Sequence, residues 1–330
     1  MIKDLNIAGN QVKFTLELTT PACPMKEMLK NACTNAIKHF VSAEAEVSIN
    51  VTSRVTQPTH STSIDNIKNI ILVSSGKGGV GKSTVASNLA VTLAKDGAKV
   101  GLIDADIYGP SVPTMFDLVN AKPGAEETAD GKTKIIPIEK YGIKLLSLGF
   151  FADPGQPVPW RGPMASNAVK QLFNDANWGE LDYLIVDLPP GTGDIHITIT
   201  QSFPISGAVV VTTPQQVALA DTHKGLAMFK MQGINIPVLG VVENMSYFTP
   251  AELPDNKYYI FGKGGGTELA ERFDVPFLGE IPIIQSIAEA GDSGKPVALS
   301  QNPLLEVRFG DIASKIAQQI SINNAQMANC

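Results

Sequence analysis

The sequence has few cysteines, no long apolar run and no excess of basic residues. Its three cysteines, Cys23, Cys33 and Cys330, make no disulfide framework in a chain of 330 residues, so we expect free thiols in the reducing cytoplasm. No apolar run approaches a membrane-spanning length, and the polar N-terminus has no signal-peptide core. The net charge of −6 is the wrong sign for a general nucleic-acid surface. We therefore expect a cytoplasmic protein that binds neither membrane nor nucleic acid.

Histidine is also scarce and gives no sign of a metal site or of a Ser-His-Asp triad. The four histidines are scattered, without metal-ligand spacing: His39, His60, His196 and His223. Only His196 follows a candidate nucleotide motif, and we interpret it as a structural residue.

A glycine-rich stretch dominates what the sequence does contain. Residues 76–83 match G-x-x-x-x-G-K-[ST], between an apolar run that predicts a strand and a helical run that closes at Asp96-Gly97. Glycines let backbone amides surround an anion, and the helix N-terminus adds partial positive charge. Lys82 is expected to reach the β- and γ-phosphates, and Ser83 to bind Mg²⁺. The expected nucleotide-binding residues are Gly76, Gly78, Gly79, Val80, Gly81, Lys82, Ser83 and Thr84.

A second lysine, Lys77, lies inside this box. The stretch Lys-Gly-Gly-Val-Gly-Lys-Ser resembles the deviant Walker A box of the MinD/ParA/nitrogenase-reductase class. The resemblance implies that Lys77 crosses a dimer to the partner's nucleotide, as an arginine finger does. The alternative is an exposed lysine beside a phosphate site.

From residue 68 onward, apolar strands alternate with amphipathic helices. This pattern predicts an α/β fold with a doubly wound, mostly parallel sheet. The expected strands are 100–104, 135–138, 143–148, 183–187, 208–212 and 238–242, and the expected helices include 163–176 and 303–320.

The first 52 residues predict a small α+β domain. Alternating residues 2–7 and 12–18 flank a turn and indicate a hairpin, and residues 46–51 alternate as a further strand. Residues 24–40 have helical apolar spacing through Met28, Cys33, Ile37 and Phe40. A polar, Ser/Thr-rich linker is predicted over 53–67, followed by an ATPase domain over 68–330.

Carboxylates end two of the predicted strands, and ligands of open α/β sheets bind there. Asp187 follows an apolar run in the Walker B arrangement and is expected to hold Mg²⁺. Asp104 and Asp106 end the strand predicted beside the P-loop. We assign Asp106 to the hydrolytic water and Asp104 to the Mg²⁺ shell, the alternative being that Asp104 caps the helix after Ser111.

Asn244 follows the strand predicted over 238–242. A side-chain amide at a strand end suits adenine, which presents a donor and an acceptor together. A turn asparagine is an equal alternative from the spacing alone.

Taken together, these motifs resemble the Mrp (ApbC) family of P-loop ATPases, which are iron–sulfur cluster carriers. The resemblance covers essentially the whole chain, in stretches 76–84, 104–111, 160–164, 187–194, 212–215, 243–248, 260–262 and 264–266. It implies a homodimer with ATP at the interface, slow Mg²⁺-dependent hydrolysis, Asn244 as the adenine reader, and iron–sulfur apoproteins or assembly factors as partners. Residues 19–25 resemble the small iron–sulfur assembly domain that precedes many of these ATPases.

Two departures accompany the resemblance. The family's Cys-x-x-Cys pair, which bridges a [4Fe–4S] cluster across the dimer, is replaced by Pro250 and Leu253, and neither can bind iron. Cys23, in an expected exposed turn, remains a candidate iron–sulfur ligand. Residues 1–4 match an internal strand of the small domain, so an opening helix and loop are absent or the start lies upstream.

Two other functions stay open. The leading expectation is assembly or transfer of iron–sulfur clusters, and the missing cysteine pair makes an ATP-dependent scaffold that carries no cluster itself the strongest alternative. A ParA/MinD-like positioning ATPase is the less favoured alternative, because residues 304–322 carry only Arg308 and Lys315 as cations, balanced by Glu306 and Asp311.

Overall fold

The computed structural model describes residues 1–57, 64, 66–107, 109–128, 131–151, 162–250 and 252–327. Its strands are β1 Ile2–Ala8, β2 Gln11–Leu18, β3 Glu46–Ser53, β4 Ile67–Ser74, β5 Val100–Asp104, β6 Gly124–Glu127, β7 Thr133–Ile136, β8 Ile138–Lys140, β9 Ile143–Ser147, β10 Leu181–Asp187, β11 Ile205–Thr212, β12 Val238–Phe248 and β13 Phe277–Ile283. Its α-helices are α1 Lys26–Phe40, α2 Lys82–Lys95, α3 Val112–Met115, α4 Gly162–Asn174, α5 Asp194–Ser202, α6 Gln216–Phe229, α7 Gly265–Phe273, α8 Gln285–Asp292 and α9 Pro303–Met327.

The main sheet confirms the predicted doubly wound fold. Within the described residues it has eight strands in the order β13-β12-β11-β4-β10-β5-β9-β8, parallel except at the β8–β9 pair. Side chains of β4 alternate between two cores: Ile71 and Val73 pack with α2 and α9, and Ile70 and Leu72 pack with α4 to α7. Helices on both faces explain why the strands read as continuous apolar runs.

The N-terminal residues form the expected hairpin, helix and strand. The described sheet has the order β1-β2-β3, with β1 antiparallel and β3 parallel to β2. Its core comes from Val12, Phe14, Leu16 and Leu18, with Cys33 and Ile37 partly buried against them. Met28 and Phe40 belong to the same apolar spacing of the helix but lie outside this core, with exposed fractions of 52% and 81%.

Part of the predicted linker packs against the main sheet. Val55 is buried in the core that contains α2 and α9. The Thr56 carbonyl accepts hydrogen bonds from the Asn69 and Asn324 side chains, at 2.8 and 3.2 Å. Residues 58–63 and 65 of the predicted linker lie outside the described residues, and the division at 53–67 remains a proposal.

Several predicted element boundaries were wrong. The strand predicted over 135–138 is two strands that meet at Pro137, which has no N–H to donate. The strand predicted to end at Val242 continues to Phe248, and the last helix continues to Met327. The first helix begins at Lys26, two residues after Pro24.

Among the described residues, no helix is long and apolar enough to span a membrane.

Candidate nucleotide site

The glycine loop lies between β4 and α2, at the carboxyl edge of the sheet. Gly79 and Gly81 have φ values of +80° and +82°, in the left-handed region that glycine tolerates. Gly81 precedes α2 without a side-chain cap, so the first amides of the helix are available to an anion. Gly76 has a different reason to be glycine: a Cβ there would lie 2.2 Å from backbone atoms of Asp221 and Thr222 in α6. Sequence reasoning had assigned Gly76 to the phosphates alone.

Three charged side chains predicted from separate motifs meet beside this loop. Lys82 Nζ lies 2.6 Å from Asp187 Oδ1 and 3.8 Å from Asp106 Oδ2. It is also 3.3 Å from the Ser83 hydroxyl oxygen. The three charged side chains come together because β4, β10 and β5 are parallel neighbours whose carboxyl ends lie at the same edge of the sheet.

Asp187 has the properties of a metal ligand. Its side chain is fully buried, and burial raises its pKa, against the opposing effect of the Lys82 charge. Its second oxygen, Oδ2, is buried and has no hydrogen-bond partner among the described residues. A buried, unpaired carboxylate oxygen near a hydroxyl suits Mg²⁺, which prefers oxygen ligands. The residues present therefore fit the predicted metal.

Asp104 is held by its surroundings. Its Oδ2 accepts hydrogen bonds from the Ser147 hydroxyl at 2.9 Å and from the Val112 backbone N–H at 3.2 Å, and its Oδ1 accepts from the Asp106 N–H. Burial, followed by the neighbouring Asp187, raises the pKa of Asp104 to about 7. These contacts favour the capping alternative for Asp104. Ser147 was missed by sequence reasoning, since only the β5–β9 pairing brings it to this carboxylate.

Asp106 is largely buried but borders a cavity. It lines a cavity of about 410 Å³ together with Pro189, Pro190 and Asp194 of the loop and helix that follow β10. The volume is ample for a water molecule beside the carboxylate. Lys77, in contrast, is an exposed residue of the glycine loop.

Asn244 lies inside β12 rather than after its end. Its side-chain Nδ2 donates a 2.9 Å hydrogen bond to the Val80 carbonyl of the glycine loop. The sequence indicated a strand-end amide facing a base, and it carried no signal for this contact.

His196 is fully buried in α5, two residues after Asp194. Neither ring nitrogen has a hydrogen-bond partner among the described residues. Burial, with a smaller effect from the Lys82 charge, lowers its pKa to about 4, so the ring is neutral at physiological pH. His196 lies in the interior near Lys82, and it belongs to no metal-ligand group within the part of the chain that the structure describes.

The thiols are not gathered into a cluster site in the described part of the chain. No group of three or more His, Cys, Asp or Glu residues there could hold a metal ion. Cys23 lies between turn residues, as expected, but it is only partly exposed because it packs against the small core, and Cys33 is half-buried as well. Cys330 lies outside the described residues. Pro250 and Leu253 occupy the loop after β12, where Leu253 is 47% exposed.

The fold and the site define a P-loop nucleoside triphosphatase of the MinD/ParA type. The chain belongs to the ParA family, described as the NUBPL iron-transfer P-loop NTPase, whose model matches residues 66–321. Residues 1–51 match a second family, the iron–sulfur cluster assembly protein. The family resemblance noted in the sequence is thereby confirmed.

Individual relatives agree with this assignment. The chain is 49% identical over 326 residues to an iron–sulfur cluster carrier protein of Synechocystis, covering 98% of this chain and 91% of the relative. A nucleotide-binding protein of Archaeoglobus fulgidus, solved in complex with ADP, is 38% identical with a TM-score of 0.60, over 70% of this chain and 88% of the other. The cell division ATPase MinD of Pyrococcus furiosus, at 22% identity, has a TM-score of 0.54 over 76% of this chain and 98% of its own, and supports the fold alone.

Proposed function

We propose that this protein is a Mg²⁺-dependent ATPase that works as a homodimer in the assembly or transfer of iron–sulfur clusters in the cytoplasm. The observation that carries the ATPase proposal is the meeting of Lys82, Asp187 and Asp106 beside the glycine loop. The cluster proposal draws on the family and on relatives named as cluster carriers.

The phosphates of ATP would lie against the amides of residues 76–84 and the N-terminus of α2. Lys82 would bind the β- and γ-phosphate oxygens, which compete with Asp187 for its ammonium group. Ser83 and Asp187 would hold Mg²⁺, which when bound neutralises phosphate charge. Asp104, fixed by Ser147 and the start of α3, would keep this edge of β5 in place for the metal site.

Asp106 would orient a water for in-line attack on the γ-phosphorus. The water oxygen forms a bond to phosphorus as the bond to the bridging oxygen of ADP breaks, and the water proton passes to Asp106 or to the phosphate. The cavity beside Asp106 supports this role. Lys82 would stabilise the charge that develops on the γ-phosphoryl oxygens.

A second copy of the chain would complete the site. Lys77 is exposed and has no ion pair among the described residues, so it is available to the partner's phosphates. Asn244 would in addition read the adenine base. Closure of such a dimer would gate turnover and keep it slow.

The clients would be iron–sulfur apoproteins or assembly factors, and the cluster is cargo rather than a resident group. Cys23 is the candidate ligand, and one thiol per subunit cannot supply the four ligands that a [4Fe–4S] cluster ordinarily takes. Pro250, Leu253 and the absence of a metal-ligand group among the described residues therefore favour a second candidate. In it, the protein is an ATP-driven scaffold that carries no cluster.

Anaerobic reconstitution with iron and sulfide separates the two candidates. Iron content, absorbance and transfer to an apoprotein would be compared for the wild type, Cys23→Ala and the matched control Cys33→Ala. A transferable cluster that only Cys23→Ala loses would support carriage through Cys23. No cluster in any of the three proteins, with ATPase activity intact, would support the scaffold, and absence of ATPase activity would contradict both.

A further inference from the structure

We propose that Asn244 is a positioning residue that holds the glycine loop in its phosphate-binding conformation, independently of any contact with the base. The proposal rests on the proposed phosphate site and adds to it a residue that acts through Val80. Asn244 would then have two separate roles, which are to bind the adenine base and to hold the conformation of the glycine loop.

The contact reaches the middle of the loop. Asn244 and Val80 are both buried, with 6% and 4% of their surface exposed, and the Nδ2–carbonyl distance is 2.9 Å. A carbonyl oxygen only accepts hydrogen bonds, so the Asn244 amide must turn its NH₂ group towards Val80. Val80 lies between Gly79 and Gly81, the two left-handed residues of the loop. Glycine can adopt more backbone conformations than other residues. A hydrogen bond at Val80 therefore restrains the part of the loop whose backbone is most flexible in sequence terms, between these two glycines.

The packing around this bond is tight. A Cβ built on Gly81 would lie 2.1 Å from Asn244 Nδ2, so a side chain at Gly81 would displace the amide. Gly81 immediately precedes Lys82, the first residue of α2. Asn244 therefore lies against the last two loop residues before the phosphate-binding helix, Val80 and Gly81.

Neighbouring residues fix the position from which Asn244 acts. The Glu243 carboxylate accepts a 2.6 Å hydrogen bond from the Gly266 N–H at the start of α7, and the Ser246 hydroxyl donates to the Ile281 carbonyl of β13 at 3.1 Å. Met245 between them has φ of +54°, and the register of β12 against β13 shifts between Asn244 and Phe248. The strand is thus anchored on each side of Asn244 while its amide points at the loop. The amide has a second N–H, which has no partner among the described residues and could donate to an adenine acceptor, so both roles are compatible.

Inorganic tripolyphosphate has the phosphate chain of ATP but no base, so its binding tests the loop-positioning role of Asn244 separately from any contact with adenine. The full-length wild type, Asn244→Ala and Asn244→Leu would be titrated calorimetrically with ATP and with inorganic tripolyphosphate in the same Mg²⁺ buffer. Asn244→Leu keeps the side-chain volume but lacks the donor. Ser246→Ala is the matched control, since it removes a hydrogen bond from the same strand to a carbonyl outside the loop. Thermal unfolding would verify that each variant is folded.

We expect both Asn244 variants to bind tripolyphosphate roughly three- to tenfold more weakly, the effect of one lost hydrogen bond, and Ser246→Ala to bind like the wild type. Loss of ATP affinity with unchanged tripolyphosphate affinity would confine Asn244 to the base and overturn the proposal, as would no loss for either ligand or an equal loss in Ser246→Ala. Lys82→Ala tests the proposed phosphate site separately from the role of Asn244. If Lys82→Ala bound tripolyphosphate as tightly as the wild type, both the phosphate site and the positioning role would be overturned.

Discussion

Lys82 Nζ and Asp187 Oδ1 lie 2.6 Å apart, and both side chains are almost completely buried. A buried pair of this kind depends on both partners, because either charge alone is strongly disfavoured in the interior. Asp104 lies beside it with a pKa raised to about 7. Lys82 therefore stabilises this edge of the sheet, in addition to its proposed role in binding phosphate.

Replacing Lys82 should abolish ATP hydrolysis and destabilise the fold. In Lys82→Ala, Asp187 loses its buried partner, and we expect the free energy of unfolding to fall by roughly 3 kcal/mol at neutral pH. Chemical denaturation and phosphate release would measure the two effects. The control is Lys68→Ala, which breaks a more exposed 2.7 Å ion pair with Asp182. This pair lies at the amino-terminal ends of β4 and β10, away from the glycine loop. That control should lose about 1 kcal/mol or less and keep its activity, and ATPase activity in Lys82→Ala would contradict the assignment.

Two glycines of the loop should respond differently to alanine. Gly76→Ala places a methyl group 2.2 Å from the backbone of α6, whereas the nearest atom to a Cβ on Gly78 is Pro190 Cγ at 3.8 Å. Overpacking against backbone should cost Gly76→Ala roughly 1–3 kcal/mol or more of unfolding free energy. Gly78→Ala should unfold within about 0.5 kcal/mol of the wild type. Equal denaturation midpoints for the two variants would contradict the packing role of Gly76.

Removing the charge of Asp187 should weaken the response to magnesium. Asp187→Asn keeps the shape of the side chain but loses the anionic oxygen that is buried without a partner among the described residues, so we expect a loss of at least about tenfold in apparent Mg²⁺ affinity. A Mg²⁺ titration of ATPase activity measures this, with EDTA removing activity from the wild type. Asp182→Asn, at the other end of β10, is the control. An unchanged titration curve for Asp187→Asn would exclude it as a ligand.

The sequence predicted those parts of the site that depend on short motifs and on the ends of individual strands. The glycine loop, Lys82 and Asp187 follow from a motif and from the rule that polar residues at the carboxyl ends of parallel strands meet. The partners of Asp104 and Asn244 depend on strand order and on the register of β12, which involve residues distant in sequence. Gly76 faces α6 for the same reason. Asn324 lies beyond the predicted end of α9, and its hydrogen bonds to Thr56 and Asn69 depend on tertiary packing rather than on helix propensity.

Acid should destabilise the fold partly through His196. The unfolded chain protonates this ring below about pH 6.5, whereas the folded chain, with a pKa near 4, does so only in stronger acid. Stability linked to His196 is therefore present above pH 6.5 and lost as the pH falls, by about 2 kcal/mol at pH 5. Denaturant unfolding at pH 7.5 and pH 5 should show this extra loss in the wild type and not in His196→Gln. The same loss in both proteins would show that other groups carry the acid sensitivity.

We propose that each ATPase site takes Asp106 from its own chain and Lys77 from a second copy. Lys77→Ala and Asp106→Asn should each be inactive alone. In an equal mixture, half of the dimers would be mixed and would contain one intact site, so we expect about a quarter of the wild-type activity to return. ATPase activity of the mixture against each variant alone is the measurement. A mixture as inactive as its components, or a Lys77→Ala protein that is active by itself, would contradict the account.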